Sequence, residues 1–227
     1  MKGKLYGVGV GPGDPELLTL KAVRIIKEAD VVVVPGAKKE ETVAYKIALG
    51  AVPELAQKHV LEIAWPMTKD MDKLQQVYEA ASDTIANMLD AGKMVVFLTL
   101  GDPCIYSTYL YIHELISRKG YDTELINGIP SFCAVAARLN SGLVERDQRL
   151  HVIPTLEHLE EDLQLTGTKV LMKSGKQIGN VKEELSNLDG TFAMIENCGM
   201  ENESIVCNSK EIPENLGYYV TILLKER

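Results

Sequence analysis

The sequence predicts an α/β fold made of two α/β domains with a binding cleft between them. The chain opens with a strand, a glycine-rich turn and a helix, and the β-branched run Val31-Val32-Val33-Val34 follows directly. Several other short apolar strands end at loops that carry glycine or proline, as the strands of a parallel sheet do. After about Gly142 a charged connector leads into a second series of strands and helices. Two domains of this size leave a cleft, which is a usual place for a small-molecule site.

The first strand ends in a glycine-rich turn. Glycine occupies every second position of this run, at Gly7, Gly9, Gly11 and Gly13. A strand without side chains is weak, so the pattern indicates that backbone or a ligand approaches it closely. Asp14 is predicted to cap the following turn, with Pro15 at the first helical position, and Thr19 is an alternative cap.

Two familiar phosphate-binding motifs fail on specific residues. The dinucleotide fingerprint G-x-G-x-x-G would need its third glycine at Pro12 or Asp14, and no acidic residue ends the next strand. The nucleotide P-loop fails because neither Gly-Lys pair, at residues 92–93 and 175–176, is followed by Ser or Thr. The Asp14 carboxylate also occupies the positive helix end that a phosphate needs. The ligand is therefore expected to be small and not held through a phosphate.

The composition argues against several classes of partner. The chain has 227 residues, with 24 Lys and Arg against 32 Asp and Glu, and the net charge of −8 disfavours nucleic acid. The 4 cysteines are scattered along the chain and show no C-x-x-C spacing. Scattered thiols in a chain of this length are typical of a protein in a reducing cytosol rather than of a disulfide scaffold. No apolar run suits a bilayer span or a signal peptide. We therefore expect a cytoplasmic protein with no nucleic-acid and no membrane partner.

Apolar spacing predicts the other elements of the first domain. Helices are predicted near residues 18–29, 43–49, 71–89 and 133–139, and strands near residues 31–34, 60–63, 94–100 and 124–126. In open α/β sheets, ligands lie outside the carboxyl ends of the strands. The loops that follow these strands are therefore the first places to look for a site.

Two of those loops are candidate binding loops. Gly101-Asp102-Pro103 follows the most apolar strand, and its carboxylate, on an exposed loop, suits a ligand ammonium or hydroxyl group. The alternative is a turn in which Asp102 bonds its own backbone, and the motif alone leaves both interpretations open. Asn127-Gly128-Ile129-Pro130-Ser131-Phe132 follows another strand and opens a helix of small residues. With the glycine run, this gives three such loops at one sheet edge, which favours binding.

A domain boundary is predicted at residues 142 and 143, giving domains 1–142 and 143–227. Strands are predicted near residues 150–153, 169–173, 192–196, 203–207 and 218–225, and helices near 156–163 and 178–188. The last strands are expected to be antiparallel or mixed. Asn197-Cys198-Gly199 has the composition of another strand-end turn.

These loops together resemble the tetrapyrrole methylase family, two-domain enzymes that use S-adenosyl-L-methionine. Within that family, the chain is most similar to the branch that methylates precorrin-2 at C-20. That reaction belongs to cobalamin biosynthesis and, more broadly, to the biosynthesis of porphyrin-related tetrapyrroles. The resemblance covers nearly the whole chain and is carried by residues 5–22, Pro66-Met67-Thr68-Lys69-Asp70, Leu100-Gly101-Asp102-Pro103 and Gly128-Ile129-Pro130-Ser131-Phe132. It implies an α/β protein with the cofactor cleft between its two domains.

The resemblance also implies the site residues. Implied cofactor-binding residues are Pro12, Leu100, Gly101, Asp102, Ile105, Ser131, Phe132, Met172, Asn197, Cys198 and Gly199. Implied substrate-binding residues are Gly11, Arg138 and Lys173. Because the tetrapyrrole carries many carboxylates, a local excess of basic residues is expected at the cleft, with Arg146, Arg149 and Lys176 as further candidates.

The resemblance leaves the catalytic residues and the metal state of the substrate open. The implied reaction is methyl transfer to a nucleophilic meso carbon, and Asp102, Tyr106 and Glu196 are candidate bases, none of which is selected. No protein metal site is expected, because the histidines show no H-E-x-x-H spacing. Any cobalt arrives inside the substrate, and we favour the cobalt-loaded form over the metal-free form. Cys104 is interpreted as a small buried residue rather than a reactive thiol.

Other classes of function remain as alternatives. Within the family, a methyltransferase that acts on RNA or protein is the main rival. Outside it, a nicotinamide-dependent oxidoreductase is disfavoured by the broken glycine fingerprint, and a non-catalytic nucleotide-binding regulator would bind ligand without turnover. A homodimer is implied by the resemblance alone.

Overall fold

The computed structural model describes residues 2–66, 68, 70–175, 178–186 and 190–226. The chain forms two compact units, Met1–Pro130 and Ser131–Arg227. The division between the two units falls before the helix at residues 131–138, so that helix belongs to the second unit. The boundary predicted between residues 142 and 143 places the same helix in the first domain. Met67, Lys69 and Lys176 lie outside the described residues, and so do residues 187 and 188 of the helix predicted near 178–188.

The first unit alternates strands and helices. Its strands are β1 (Lys4–Gly9), β2 (Val31–Pro35), β3 (His59–Ile63), β4 (Met94–Thr99) and β5 (Asp122–Ile126). Its helices are α1 (Leu20–Glu28), α2 (Val43–Ala51), α3 (Met71–Asp90) and α4 (Tyr109–Arg118). The strands pair in parallel in the order β3-β2-β4-β1-β5. The carboxyl ends of β4, β1 and β5 are therefore neighbours, which confirms that the three predicted loops share one sheet edge.

Helices cover both faces of this sheet. Val32 and Val34 belong to the core formed with α1 and α2, whereas Val31 and Val33 belong to the core formed with α3 and α4. Successive side chains of a strand point to opposite faces, so a strand covered on both faces needs apolar residues at every position. The prediction for this valine run is confirmed.

The glycine run leads into two separately capped turns. Asp14 accepts the backbone N–H of Glu16 at 2.8 Å and starts a short 3-10 turn, Pro15–Leu17. Thr19 Oγ1 then accepts the N–H of Ala22 at 3.1 Å and caps α1. Both predicted caps are used, and each has its own turn.

The second unit contains a mixed sheet. It begins with α5 (Ser131–Arg138), β6 (Leu150–Ile153), α6 (Leu159–Leu163) and β7 (Thr168–Met172), and continues with α7 (Ile178–Ser186), β8 (Thr191–Glu196), β9 (Ser204–Val206) and β10 (Val220–Lys225). The strand order is β6-β7-β10-β8-β9, in which β6 and β7 are parallel and the other pairs are antiparallel. The expected mixed pairing is confirmed.

Helix α4 is absent from the elements predicted from the sequence. Its residues Tyr109, Ile112 and Ile116 are fully buried and follow helical spacing, so the signal was present. The helix lies against β1, because a Cβ added at Gly7 would come within 1.9 Å of the Tyr109 ring. Among the described residues, no helix combines the length and apolar character needed to cross a membrane.

An ion triad at the edge strand β5 gives a pH-dependent prediction. Lys21 and Lys4 donate to Glu124 at 2.6 and 2.7 Å, and these bonds lower the pKa of Glu124 from 4.5 to about 2. A lowered pKa in the folded state stabilises the protein above the unfolded pKa, and that stability is lost as the pH falls towards 2. Because the three side chains remain 32 to 53% exposed, Glu124→Gln should cost about 1 kcal/mol or less at neutral pH.

Thermal unfolding of the wild type and Glu124→Gln from pH 7 down to pH 3 measures this effect. The difference in melting temperature should be constant above about pH 5 and shrink steadily below it. Glu28→Gln, which breaks a single exposed ion pair with Arg24 on α1, is the matched control, and the melting-temperature difference for Glu124→Gln should change more with pH than the control's. A difference that grows as the pH falls would contradict the prediction.

Candidate functional site

The loops after β1 and β4 are joined backbone to backbone. Gly11 N donates to Gly101 O at 3.2 Å, and Gly101 N donates to Gly11 O at 2.9 Å. Both glycines have positive φ, +74° for Gly11 and +70° for Gly101. Residues with a Cβ rarely adopt this conformation, so the junction favours glycine on each side. The junction lies beside Pro12 and Leu100, two of the implied cofactor-binding residues.

Open space lies beside the backbone of Gly101. A Cβ added to Gly101 would meet only the carbonyl oxygen of Ile129, at 3.9 Å. The neighbouring glycines differ, because a Cβ at Gly128 would lie 2.1 Å from Gly101 O and one at Gly9 would lie 2.5 Å from it. Gly9 and Gly128 therefore admit the protein's own backbone, whereas Gly101 leaves room that a ligand can occupy.

Asp102 is a buried link between the loops after β4 and β5. Asp102 is only 6% exposed, and its Oδ1 accepts the N–H of Cys104 at 2.7 Å. Oδ2 accepts the N–H of Gly128 at 3.0 Å and the amide of Asn127 at 3.1 Å. The interpretation of Asp102 as an exposed carboxylate is wrong, because three protein donors already occupy it. The alternative turn is present and extends to a distant loop.

The rest of the β4 loop is fixed by short contacts. Ile105, which is half-buried, donates its N–H to Asp102 O at 3.2 Å. The hydroxyls of Thr99 and Ser107 lie 2.8 Å apart. Tyr106, the residue before Ser107, has φ of +48° and is 51% exposed. The loop thus presents Ile105 and Tyr106 from a rigid base.

Cys104 differs from its predicted environment. The side chain is exposed, so the interpretation as a small buried residue is wrong. Desolvation raises the pKa of the Cys104 thiol, and the nearby Asp102 carboxylate adds to the effect. A thiol with a raised pKa is less ionised at neutral pH, which argues against a nucleophilic role.

In the second unit, Thr221 brings two predicted residues together. Thr221 pairs with Met172 across strands β10 and β7. Thr221 Oγ1 also donates to Ser131 Oγ at the start of α5, at 3.5 Å. Phe132, the next residue, is 7% exposed and is therefore buried. Ser131 and Met172 thus lie at the same end of the mixed sheet.

The turn after β8 is braced by an ion pair. Asn197 and Gly199 adopt positive φ of 54° and 76° around Cys198. Glu203 Oε2 accepts the N–H of Gly199 at 2.9 Å, and Oε1 accepts Arg138 Nε at 2.6 Å. The guanidinium of Arg138 is therefore engaged with a carboxylate and holds this turn. Burial, with the nearby Glu203, raises the pKa of the Cys198 thiol to about 11, so this thiol stays protonated at neutral pH.

The other candidate cations that the structure describes are exposed. Lys173 follows β7 with φ of +56°, and its N–H donates to Val220 O at 3.1 Å. Arg146 and Arg149 are exposed in the connector before β6. The assignments of Gly11, Arg138 and Lys173 to the substrate, and of the second-unit residues to the cofactor, stay predictions.

The fold and the interlocked loops belong to a known class of enzyme. The sequence matches the family model of the Tetrapyrrole (Corrin/Porphyrin) Methylases over residues 4–213. The chain therefore belongs to this family, and the predicted membership is confirmed.

Individual relatives define a narrower group. The chain is 36% identical over 208 residues to a probable cobalt-precorrin-2 C(20)-methyltransferase of Methanocaldococcus jannaschii, covering 89% of this chain and 86% of that protein. It is 30% identical over 236 residues to the cobalt-precorrin-2 C(20)-methyltransferase of Salmonella typhimurium, covering 100% of this chain and 98% of that protein.

Solved structures share the architecture. A cobalt precorrin-4 methyltransferase superimposes with a TM-score of 0.77 at 25% identity, covering 98% of this chain and 94% of the other. A uroporphyrin-III C-methyl transferase from Thermus thermophilus, solved with S-adenyl homocysteine, gives a TM-score of 0.69 at 24% identity and covers 97% of each chain. The predicted α/β fold of the tetrapyrrole methylase type is confirmed.

Proposed function

We propose that this protein transfers a methyl group from S-adenosyl-L-methionine to C-20 of cobalt-precorrin-2 in cobalamin biosynthesis. The observation that carries the proposal is the Gly11–Gly101 junction, where an open backbone surface lies at the carboxyl ends of adjacent parallel strands. Family membership and the two C(20)-methyltransferase relatives support the reaction class and the ring position.

The first unit offers a cofactor surface made of backbone and apolar groups. We assign to this surface Pro12, the backbone of Leu100, Gly101 and Asp102, and the apolar side chain of Ile105, all of which adjoin the Gly11–Gly101 junction along the chain. When bound, S-adenosyl-L-methionine supplies a methyl group on a sulfonium. We assign its polar contacts to backbone groups of this loop rather than to the Asp102 carboxylate, since that carboxylate is already hydrogen-bonded to three donors.

The chain needs no nucleophile of its own. The residues around Gly101 hold and orient the methyl donor, and orientation of two reactants supplies up to about 7–11 kcal/mol of a barrier. Asp102 is a poor candidate base, because it is buried and engaged. Glu196 Oε1 likewise accepts the N–H of Gly217. Tyr106, half-exposed on the β4 loop, remains the more accessible of the three candidates.

The test is direct methyl transfer. The protein is incubated with S-adenosyl-L-methionine labelled in its methyl group and with cobalt-loaded or metal-free precorrin-2, and NMR locates the new methyl. We expect label at C-20 and faster transfer to the cobalt form. Faster transfer to the metal-free form would select the alternative substrate. Label on another carbon, or only on RNA or protein, would refute the proposal.

Two further features belong to the proposal. We propose that the protein acts in the cytoplasm as a homodimer, because the family resemblance implies a dimer. Sedimentation velocity at micromolar concentration decides the oligomeric state, and a monomer would contradict this part alone.

A further inference from the structure

Trp65 is the single tryptophan of the chain and follows strand β3. Its indole N–H donates to Thr108 Oγ1, in the loop after β4, at 3.0 Å. The sheet order places β2 between β3 and β4. Neighbouring strands are about 4.8 Å apart, so β3 and β4 are about 10 Å apart. The bond therefore reaches across the end of β2 and joins the loop after β3 to the loop after β4.

The indole ring is held on one side and partly exposed on the other. Its centroid lies 5.3 Å from the Tyr78 ring in an edge-to-face contact and 6.1 Å from the Phe97 ring. Tyr78 in turn stacks on Tyr111, with centroids 4.9 Å apart and planes 7° apart. These contacts bury part of the indole, and the bond to Thr108 adds a fixed orientation for the part that stays exposed.

The Trp65 indole lies at the same sheet edge as the candidate cofactor surface, where a second ligand can reach it. The junction of Gly11 with Gly101 occupies the ends of β1 and β4, so a ligand there leaves the β3 side of the same edge available. A tetrapyrrole macrocycle is much wider than one strand spacing of about 4.8 Å. Its conjugated face matches a flat aromatic side chain.

We propose that Trp65 contacts the tetrapyrrole on the β3 side of the site and that Thr108 is the positioning residue that orients it. The inference rests on the proposed function, because it takes the tetrapyrrole as substrate. Trp65 would bind the macrocycle and leave the cofactor untouched. The two ligands should therefore respond differently to changes at this pair.

The first test removes the hydrogen bond alone. Thr108→Val keeps the shape of the side chain and lacks the hydroxyl, and it should raise the KM for precorrin-2 by about threefold to tenfold. The dissociation constant of S-adenosylhomocysteine and kcat should stay close to the wild type. Emission of the single tryptophan should change in the free protein, because the indole N–H loses its partner.

Three variants serve as controls for this test. Thr108→Ser keeps the hydroxyl and should have the same KM as the wild type. Trp65→Phe should raise the KM at least as much as Thr108→Val. Thr84→Val removes an exposed hydroxyl that donates to Ala80 O within α3, and it should change neither constant.

The outcomes separate this inference from the proposed function. If the wild type transfers no methyl to either form of precorrin-2, the proposed function fails. Quenching of Trp65 by the tetrapyrrole then still decides the inference, since absence of quenching overturns it. If the wild type turns over and Thr108→Val shows an unchanged KM, the inference alone fails. Equal losses for cofactor and substrate, with a lower melting temperature, would also overturn it by showing a purely structural bond.

Discussion

Replacing Gly101 by alanine is expected to weaken the binding of S-adenosylhomocysteine by about tenfold or more in a protein that still folds. The added Cβ meets no backbone atom closer than 3.9 Å, so the fold can accept it. It does enter the open space that we assign to the cofactor, and overpacking costs about 1–3 kcal/mol. The φ of +70° adds about 1–2 kcal/mol of strain to the folded state. Calorimetry measures the affinity, and urea unfolding measures the stability.

Gly120 supplies a matched control for that experiment. It lies between α4 and β5 with φ of +80°, and a Cβ there would meet nothing within 4 Å. Gly120→Ala should therefore lose a similar free energy of unfolding and bind S-adenosylhomocysteine like the wild type. If Gly101→Ala and Gly120→Ala bind equally well, Gly101 does not adjoin the cofactor, and the assignment of this surface fails.

Local features of the fold were predictable from the sequence because their causes are local. The cap at Thr19 needs only the N–H of Ala22, three residues away. The valine run of β2 needs only to be apolar at every position, since helices cover both faces. Family membership was predictable for a related reason, because the glycine run and the β4 loop are short contiguous motifs.

The environment of the site residues was not predictable, because their partners are distant in the sequence. Asp102 is buried by the loop at Asn127 and Gly128, more than twenty residues away. The spacing of the glycines indicated a close approach, and the structure shows that at Gly9 the approaching group is the chain's own backbone. Arg138 was expected to face substrate carboxylates, and its partner Glu203 is on a different element. Motifs indicated which loops matter, and packing decides what each side chain does.

Replacing Asp102 by alanine should give the largest loss of stability among these changes. The substitution leaves the N–H groups of Cys104 and Gly128 without their buried acceptor, and hydrogen bonds to a charged group contribute about 1.5–3 kcal/mol each. Since such bonds are not additive, we expect a loss of about 4 kcal/mol in the free energy of unfolding.

The control for this loss is Asp14, another carboxylate that accepts a backbone N–H, but in an exposed turn. Asp14→Ala should cost only about 1 kcal/mol, as loss of a capping residue does. Urea unfolding of both variants gives the comparison, and calorimetry on the folded fraction gives the affinity for S-adenosylhomocysteine. A stable Asp102→Ala protein with a specific loss of affinity would restore the interpretation of Asp102 as a carboxylate that binds the ligand directly. A sharp fall in stability, with the affinity of the folded fraction unchanged, would instead establish that this carboxylate serves to tie the loop after β4 to the loop after β5.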